Sequence, residues 1–270
     1  GAAFHEADGA GEKEARESMK NCPIGVFDSG IGGISVLRNM RADLPREDFI
    51  YFGDDKNAPY GTRPEPEILR LAEADADFLL KKNVKAIVIA CNTATSAAAA
   101  ALRGKLSIPV IGMEPALKPA SLFRKDGMIA VLATSATLRQ EKFRHLMERY
   151  GEYAVPVPCP GLMDYVERGV TEGAELDAFL QKVLAPFRDY RFDAAVLGCT
   201  HYVFLKDAIQ KAMPGVRLFD GNEGTSHQLR RVLSERGWLK EEGEGGVQLF
   251  SSAENPAVIR LMERLLATKP

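Results

Sequence analysis

No apolar stretch in this chain approaches the ~20 residues needed to cross a bilayer, so no membrane span is expected. Neither charge sign dominates. Thirty-five Lys and Arg face 37 Asp and Glu for a net charge of −2, with no long basic run, so nucleic acid is not an expected partner. Histidine and cysteine are scarce, at four each. The cysteines Cys22, Cys91, Cys159 and Cys199 form no C-x-x-C pair, which speaks against both a zinc site and a disulfide framework. The opening GAAFHEADGAGEKEARESMK has no apolar core, so it is not a secretory signal. Residues 1–20 read as a disordered leader or tag remnant, with Met19 just before the first strand-like run. These absences point to a cytoplasmic chain whose thiols are free for chemistry.

The rest has the make-up of an ordinary globular protein. Apolar residues are 46% and charged residues 27% of 270, enough for one large core or two smaller ones. From Pro23 onward short apolar runs alternate with longer helical patterns. Strands are expected at 23–28, 49–53, 85–90, 108–112, 128–133, 153–157, 193–198, 216–219 and 247–250. Helices are expected at 66–82, 93–104, 137–150, 173–188, 201–212, 225–237 and 256–267. Such alternation gives parallel sheets with helices on both faces, and ligands bind where strands end and loops begin.

The chain also repeats itself faintly. IGVFDSG at 24–30 resembles IAVLATS at 129–135, and AIVIACNTA at 86–94 resembles AAVLGCTHY at 194–202. The offsets, 105 and 108 residues, nearly agree, which favours a duplicated α/β unit over chance similarity. Two units facing each other would bring Cys91 and Cys199 to opposite walls of one cleft.

Each of these cysteines ends a strand and precedes an expected helix. Unpaired N–H groups and the helix dipole there favour anions, so each thiol is expected to ionise more readily than usual and to sit near a bound carboxylate. Asn92, Thr93 and Thr200 add donors alongside. DSGIGGISVL at 28–37 has glycines like a phosphate turn but neither the dinucleotide spacing nor a G-K-[ST] ending, so a nucleotide site is not expected. Asp28 is placed to assist as an acid or base, and Ser29 to cap a helix or donate to a ligand. In the turn-rich GDDKNAPYGTRP, 53–64, Tyr60 and Gly61 could offer a hydroxyl and a close backbone. His201, two residues after Cys199, can hold that thiolate or shuttle its proton, or can simply be a buried helix-start histidine. Two thiols flanking one carbon suit proton removal from one face and delivery to the other, with oriented donors stabilising the carbanionic state between.

GVFDSGIGGISVLRNM, YFGDDKNAPYG, VIACNTATSAA, VIGMEPALKPA and LGCTHYVFL follow one another in the order and spacing of bacterial glutamate racemases, which the chain resembles over some nine-tenths of its length. The resemblance implies a racemase that interconverts L- and D-glutamate without a cofactor or metal and supplies D-glutamate for peptidoglycan. It implies that Cys91 takes the proton from D-glutamate and Cys199 from L-glutamate, with Asp28 assisting the first and His201 and Glu167 the second. Substrate contacts carried over are Asp28, Ser29, Tyr60, Gly61, Asn92, Thr93, Thr200 and His201, with Thr134 and Thr137 of the T-x-A-T turn. One segment departs from the family: CPGLMDYVE, 159–167, differs at Leu162, Met163 and Asp164, and Glu167 depends on its geometry. Cys22 and Cys159 read as structural. The implied fold is two pseudo-symmetric α/β domains with mainly parallel sheets and the active site in the interdomain cleft. Residues 21–113 plus 226–270 would form the first domain and 114–225 the second. A homodimer is expected, with a monomer as the alternative, and a cell-wall precursor is a conceivable allosteric ligand. Competing readings are a racemase for aspartate or another acidic amino acid, a binding protein without turnover, and a thiol redox protein.

Overall fold

A computed structural model of the chain describes residues 2–270, with side chains from residue 10 onward. The strands are β1 (Ile24–Asp28), β2 (Phe49–Gly53), β3 (Ala86–Ile89), β4 (Val110–Ile111), β5 (Met128–Ala133), β6 (Ala154–Pro158), β7 (Phe192–Leu197), β8 (Arg217–Asp220) and β9 (Val247–Ser251). The helices are α1 (Ala2–Lys20), α2 (Ile34–Asp43), α3 (Glu65–Leu80), α4 (Asn92–Lys105), α5 (Leu117–Phe123) and α6 (Ser135–Arg139). They continue as α7 (Glu141–Tyr150), α8 (Leu162–Glu167), α9 (Ala174–Leu184), α10 (Lys206–Ala212), α11 (Asn222–Arg236) and α12 (Pro256–Leu266).

The strands form two sheets, ordered β4-β3-β1-β2-β9 and β6-β5-β7-β8. Every strand pair among the described residues is parallel. Read in the other direction, the second sheet runs β8-β7-β5-β6. That is the order of β4-β3-β1-β2 with each strand replaced by its counterpart four places on, so the sequence repeat has a topological match. Beside β2 the first sheet gains β9 from the C-terminal segment, in register from Phe49 with Val247 to Gly53 with Ser251.

Burial follows position in the sheets. Central β1 and β3 are buried at every residue, as expected for parallel strands covered on both faces. Edge strand β6, AVPVP, alternates between buried and open positions, and Pro156 and Pro158 are tolerated because only β5 pairs with it. One apolar cluster runs through both halves, from Val26, Leu37 and Met40 to Leu132, Leu197 and Leu205. Full burial of each such side chain contributes about 1.5–3 kcal/mol, so the halves are joined by packing as well as by the chain.

Several segments differ from the sequence expectation: α2, α5 and α8 were not among the expected helices, and three others fold differently from the reading. Residues read as a leader form α1, rich in the strong helix formers Ala, Glu and Lys. Its last turn is anchored where buried Lys85 Nζ donates to the Lys20 carbonyl at 2.8 Å. The helix expected over 137–150 is two, α6 and α7, separated at extended Gln140. After Cys199 the chain first makes a 3-10 turn, Thr200–Leu205, and only then α10.

Both sheets change winding direction beside their central strand, between β1 and β3 and between β5 and β7. Strand ends diverge at such points and leave a crevice. The ends of β1, β3, β5 and β7 therefore deliver Asp28, Cys91, Thr134 and Cys199 to common ground.

Candidate active site

Asp28, the last residue of β1, is buried, and its Oδ2 accepts from the backbone N–H groups of Gly33 at 2.8 Å and Gly30 at 3.3 Å. Burial pushes its carboxyl up to about 6, against the pull of nearby His201 and of the Gly33 and Ser29 amides. The glycines of this turn serve close approach. A Cβ on Gly32 would lie 2.4 Å from His201 Nδ1 and 2.6 Å from Thr200 Oγ1, and one on Gly33 would lie 2.7 Å from the Asp28 Cβ. Gly32 thus lets the second half of the molecule seat its histidine against the first.

Cys91 caps α4, its Sγ accepting from Ala94 N–H at 3.4 Å and lying 4.0 Å from Ser29 Oγ. The expectation of an easily ionised thiol fails here: burial, then the Asp28 charge, pushes Cys91 up to about 12. The magnitudes explain why. A helix terminus is worth about 0.3–1 kcal/mol, less than one unit of pKa, whereas burial can move a group by about 3–5 units. The two charges that act most on the sulfur, those of Asp28 and Cys199, are both negative and add to the loss of water.

Cys199 ends β7 in a different setting. Its Sγ is 3.7 Å from His201 Nδ1, and His201 Nε2 is 2.7 Å from Glu167 Oε1. Burial alone would lower the His201 pKa, but its bonds to Cys199 and Glu167, with their charges, raise it well above the ordinary value. Glu167 is the last residue of α8, which starts after Gly161 in the left-handed region at φ 87°. The divergent CPGLMDYVE loop thus folds so that its carboxylate reaches His201.

Thr134 caps α6, accepting from Thr137 N–H and contacting Thr137 Oγ1, each at 3.1 Å. Asn92 joins the two halves by donating from Nδ2 to the Gly198 carbonyl at 3.3 Å, while its buried Oδ1 has no partner. Gly61 brings its turn against the second half, where a Cβ would be 2.9 Å from that of Ala136. The Tyr60 hydroxyl is not offered to a ligand as the sequence suggested. It is held between Asp54 Oδ2 and Asp75 Oδ2, 2.5 Å from each.

These groups enclose a cavity of about 350 Å³, at the small end for ligand sites. Its wall includes Asp28, Ser29, Cys91, Asn92 and Thr93 from the first sheet and Thr134, Thr137, Cys199, Thr200 and His201 from the second, with Tyr60 and Gly61 from the intervening turn. Glu167 stands behind His201 and is not part of the wall. Among the wall residues not expected there are Cys159, read from the sequence as structural, and Arg139. Cys159 lines the cavity, buried and pushed up to about 12 by burial and the Cys199 charge. Arg139, exposed at the mouth, is the wall's one lysine or arginine, and its position on α6 beside the T-x-A-T turn was the available signal. Among the described residues no cluster of three His, Cys, Asp or Glu could hold a metal ion. Of the three cysteines on the wall, Cys91 and Cys199 end corresponding strands and sit in unlike settings, with carboxylate and imidazole partners and hydroxyl and amide donors around them.

The family model for Asp/Glu/hydantoin racemases matches residues 24–228. A glutamate racemase of Clostridium perfringens is 47% identical over 259 residues, covering 94% of this chain and all of the relative. The glutamate racemase of Thermus thermophilus, solved with beta-chloro-D-alanine, superposes with a TM-score of 0.80 at 40% identity, covering 91% of this chain and 93% of that one. That of Francisella tularensis, solved with D-glutamate, gives 0.79 at 32% identity, covering 93% and 95%.

Proposed function

The chain belongs to the glutamate racemases of the Asp/Glu/hydantoin racemase family, which are amino-acid isomerases, and we propose that it inverts the glutamate Cα through Cys91 and Cys199. The observation that carries this mechanism is the unlike setting of two sulfurs on the wall of one small cavity. Cys91 is held as a thiol by burial, while Cys199 lies 3.7 Å from the ring of His201, which Glu167 backs at 2.7 Å and whose pKa is raised. A two-base inversion needs one thiol and one thiolate at the start, and an adjacent imidazolium favours the thiolate at Cys199.

With L-glutamate, the Cys199 thiolate removes the Cα proton, and the Cys91 thiol delivers its own to the opposite face. The product is D-glutamate, and the proton now sits on Cys199. The reverse reaction begins with a Cys91 thiolate, whose proton Asp28 accepts. Raising the carboxyl to about 6 narrows its gap to the Cys91 thiol and makes Asp28 a better proton acceptor than an ordinary carboxylate. The free Asn92 Oδ1 is an acceptor for the substrate ammonium. Hydroxyls of Ser29, Thr93, Thr134, Thr137 and Thr200, with backbone N–H groups of the Tyr60–Gly61 turn, receive the carboxylates. Donors fixed before reaction stabilise the carbanionic state without reorganising. No cofactor is needed in this scheme.

The same reading includes supply of D-glutamate for peptidoglycan, a cytoplasmic setting, a homodimer, and a division into 21–113 plus 226–270 and 114–225. Among the described residues no helix is long and apolar enough to cross a membrane. Replacement of either thiol tests the mechanism. Cys91→Ser and Cys199→Ser should each lower racemisation at least ~100-fold, followed by the decay of optical rotation from either enantiomer. Full activity in either variant would refute the two-cysteine assignment.

A further inference from the structure

Outside the cavity wall, the buried carboxylates Asp54 and Asp75 meet the hydroxyl of Tyr60. Tyr60 Oη lies 2.5 Å from Asp54 Oδ2 and 2.5 Å from Asp75 Oδ2. A phenol carries one proton, and burial together with the two carboxyls keeps it protonated. It can donate to only one of its two oxygen neighbours. The second short contact requires a proton brought by a carboxyl group.

The surroundings say which one. Asp54 accepts from Asn57 Nδ2, at 3.0 Å to Oδ1 and 3.1 Å to Oδ2, and its Oδ1 accepts from Ser252 Oγ at 2.7 Å. With donors on both oxygens, Asp54 is the ionised partner. Asp75, on α3, has Tyr60 as its side-chain partner, and among the described residues it forms no ion pair. The charged groups acting on it are Asp54, from the end of β2, and more distant Asp28, from the end of β1, both anionic. From the β9 side Ser252 reaches Asp54 with an uncharged hydroxyl. Burial, against the pull of the Tyr60 hydroxyl and with those two charges adding to it, pushes the Asp75 carboxyl up to about 8.

We propose that Asp75 is a positioning residue kept as a neutral carboxylic acid, donating to Tyr60, which in turn donates to Asp54, so that this chain of hydrogen bonds fixes the turn at 59–62. Pro59, Tyr60, Gly61 and Thr62 all line the cavity, so the chain sets the shape of one wall. It ties that wall to α3, β2 and the C-terminal segment. When Asp75 loses its proton, two carboxylates face each other across one hydroxyl with no cation between them, and the turn is pushed from its place. Asp75 touches neither substrate nor reacting atoms, so the effect falls on substrate binding. That consequence rests on reading the turn as part of the substrate pocket, whereas the neutral state of Asp75 does not.

The test compares the protein with Asp75→Asn, which keeps an uncharged donor at the same place. In the unmodified protein KM for glutamate should rise several-fold between about pH 7 and pH 9, below the range where the substrate ammonium titrates, while in Asp75→Asn it changes by less than about two-fold. KM at pH 7 and kcat should match within about three-fold, as a purely electrostatic change predicts. Infrared spectra of the folded protein provide a readout independent of turnover. A protonated-carboxyl band should be present at neutral pH, vanish as pH rises through about 8, shift in Tyr60→Phe and be missing in Asp75→Asn. A KM rise that persists in Asp75→Asn, or no such band in the unmodified protein, would overturn the proposal. Absence of racemisation with the band present would instead count against the functional reading alone.

Discussion

At the scale of single residues, Cys91 and Cys199 are distinguished by what surrounds the sulfur. Cys91 has burial and an anionic neighbour, while Cys199 has an imidazole backed by a carboxylate. The sequence placed both at strand ends and paired them with Asp28 and His201. It could not show that burial overrides the helix terminus at Cys91, because burial is set by chain segments distant in sequence. The asymmetry has a kinetic signature. L- and D-glutamate are equally stable, so any variant must lose kcat/KM equally in both directions, and directionality has to be sought in the isotope effect. Glu167→Gln should enlarge the primary deuterium effect on L-glutamate more than on D-glutamate, and Asp28→Asn should do the reverse, as measured with Cα-deuterated enantiomers. Equal effects in both variants would contradict the assignment of partners. Asp28 accepts a proton only when ionised, and its carboxyl is raised to about 6. The kcat/KM for both enantiomers should therefore increase as pH rises through about 6 and fall as pH drops below it.

At the scale of elements, the nine strands fall close to where alternation of apolar and helical runs put them, since fully buried parallel strands read as continuous apolar runs. Boundaries set by tertiary contacts were not legible. The break at Gln140, the 3-10 turn after Cys199 and the short α8 that brings up Glu167 are examples. The glycine-rich turn after β1 was legible as a turn but not as the seat of a histidine 169 positions later in the chain. Substituting it should separate positioning from folding. Gly32→Ala should cut kcat at least ~10-fold, because a misplaced catalytic group is costly, while circular dichroism stays that of the parent. Unchanged kcat would mean that the close approach of Gly32 to His201 has no part in turnover.

At the scale of the molecule, two sheets of matching strand order face each other through the ends of β1, β3, β5 and β7, and that symmetry brings Cys91 and Cys199 to one cavity. The near-equal repeat offsets carried this in the sequence. The extra strand β9 was legible as a strand, but its place beside β2 depends on how the C-terminal segment packs back on the first sheet. The Asp54–Tyr60–Asp75 chain was illegible, because its members come together only when α3 packs beside that sheet. The central claim is transfer by two bases on opposite faces, and one measurement addresses it most directly. L-glutamate is incubated in deuterated water without added cofactor, and both enantiomers are examined early in the reaction by NMR. The account predicts deuterium at Cα of the D-glutamate formed and protium in the remaining L-glutamate, because the delivered hydrogen comes from a thiol that has exchanged with solvent. D-glutamate that retains the substrate's own hydrogen would contradict it.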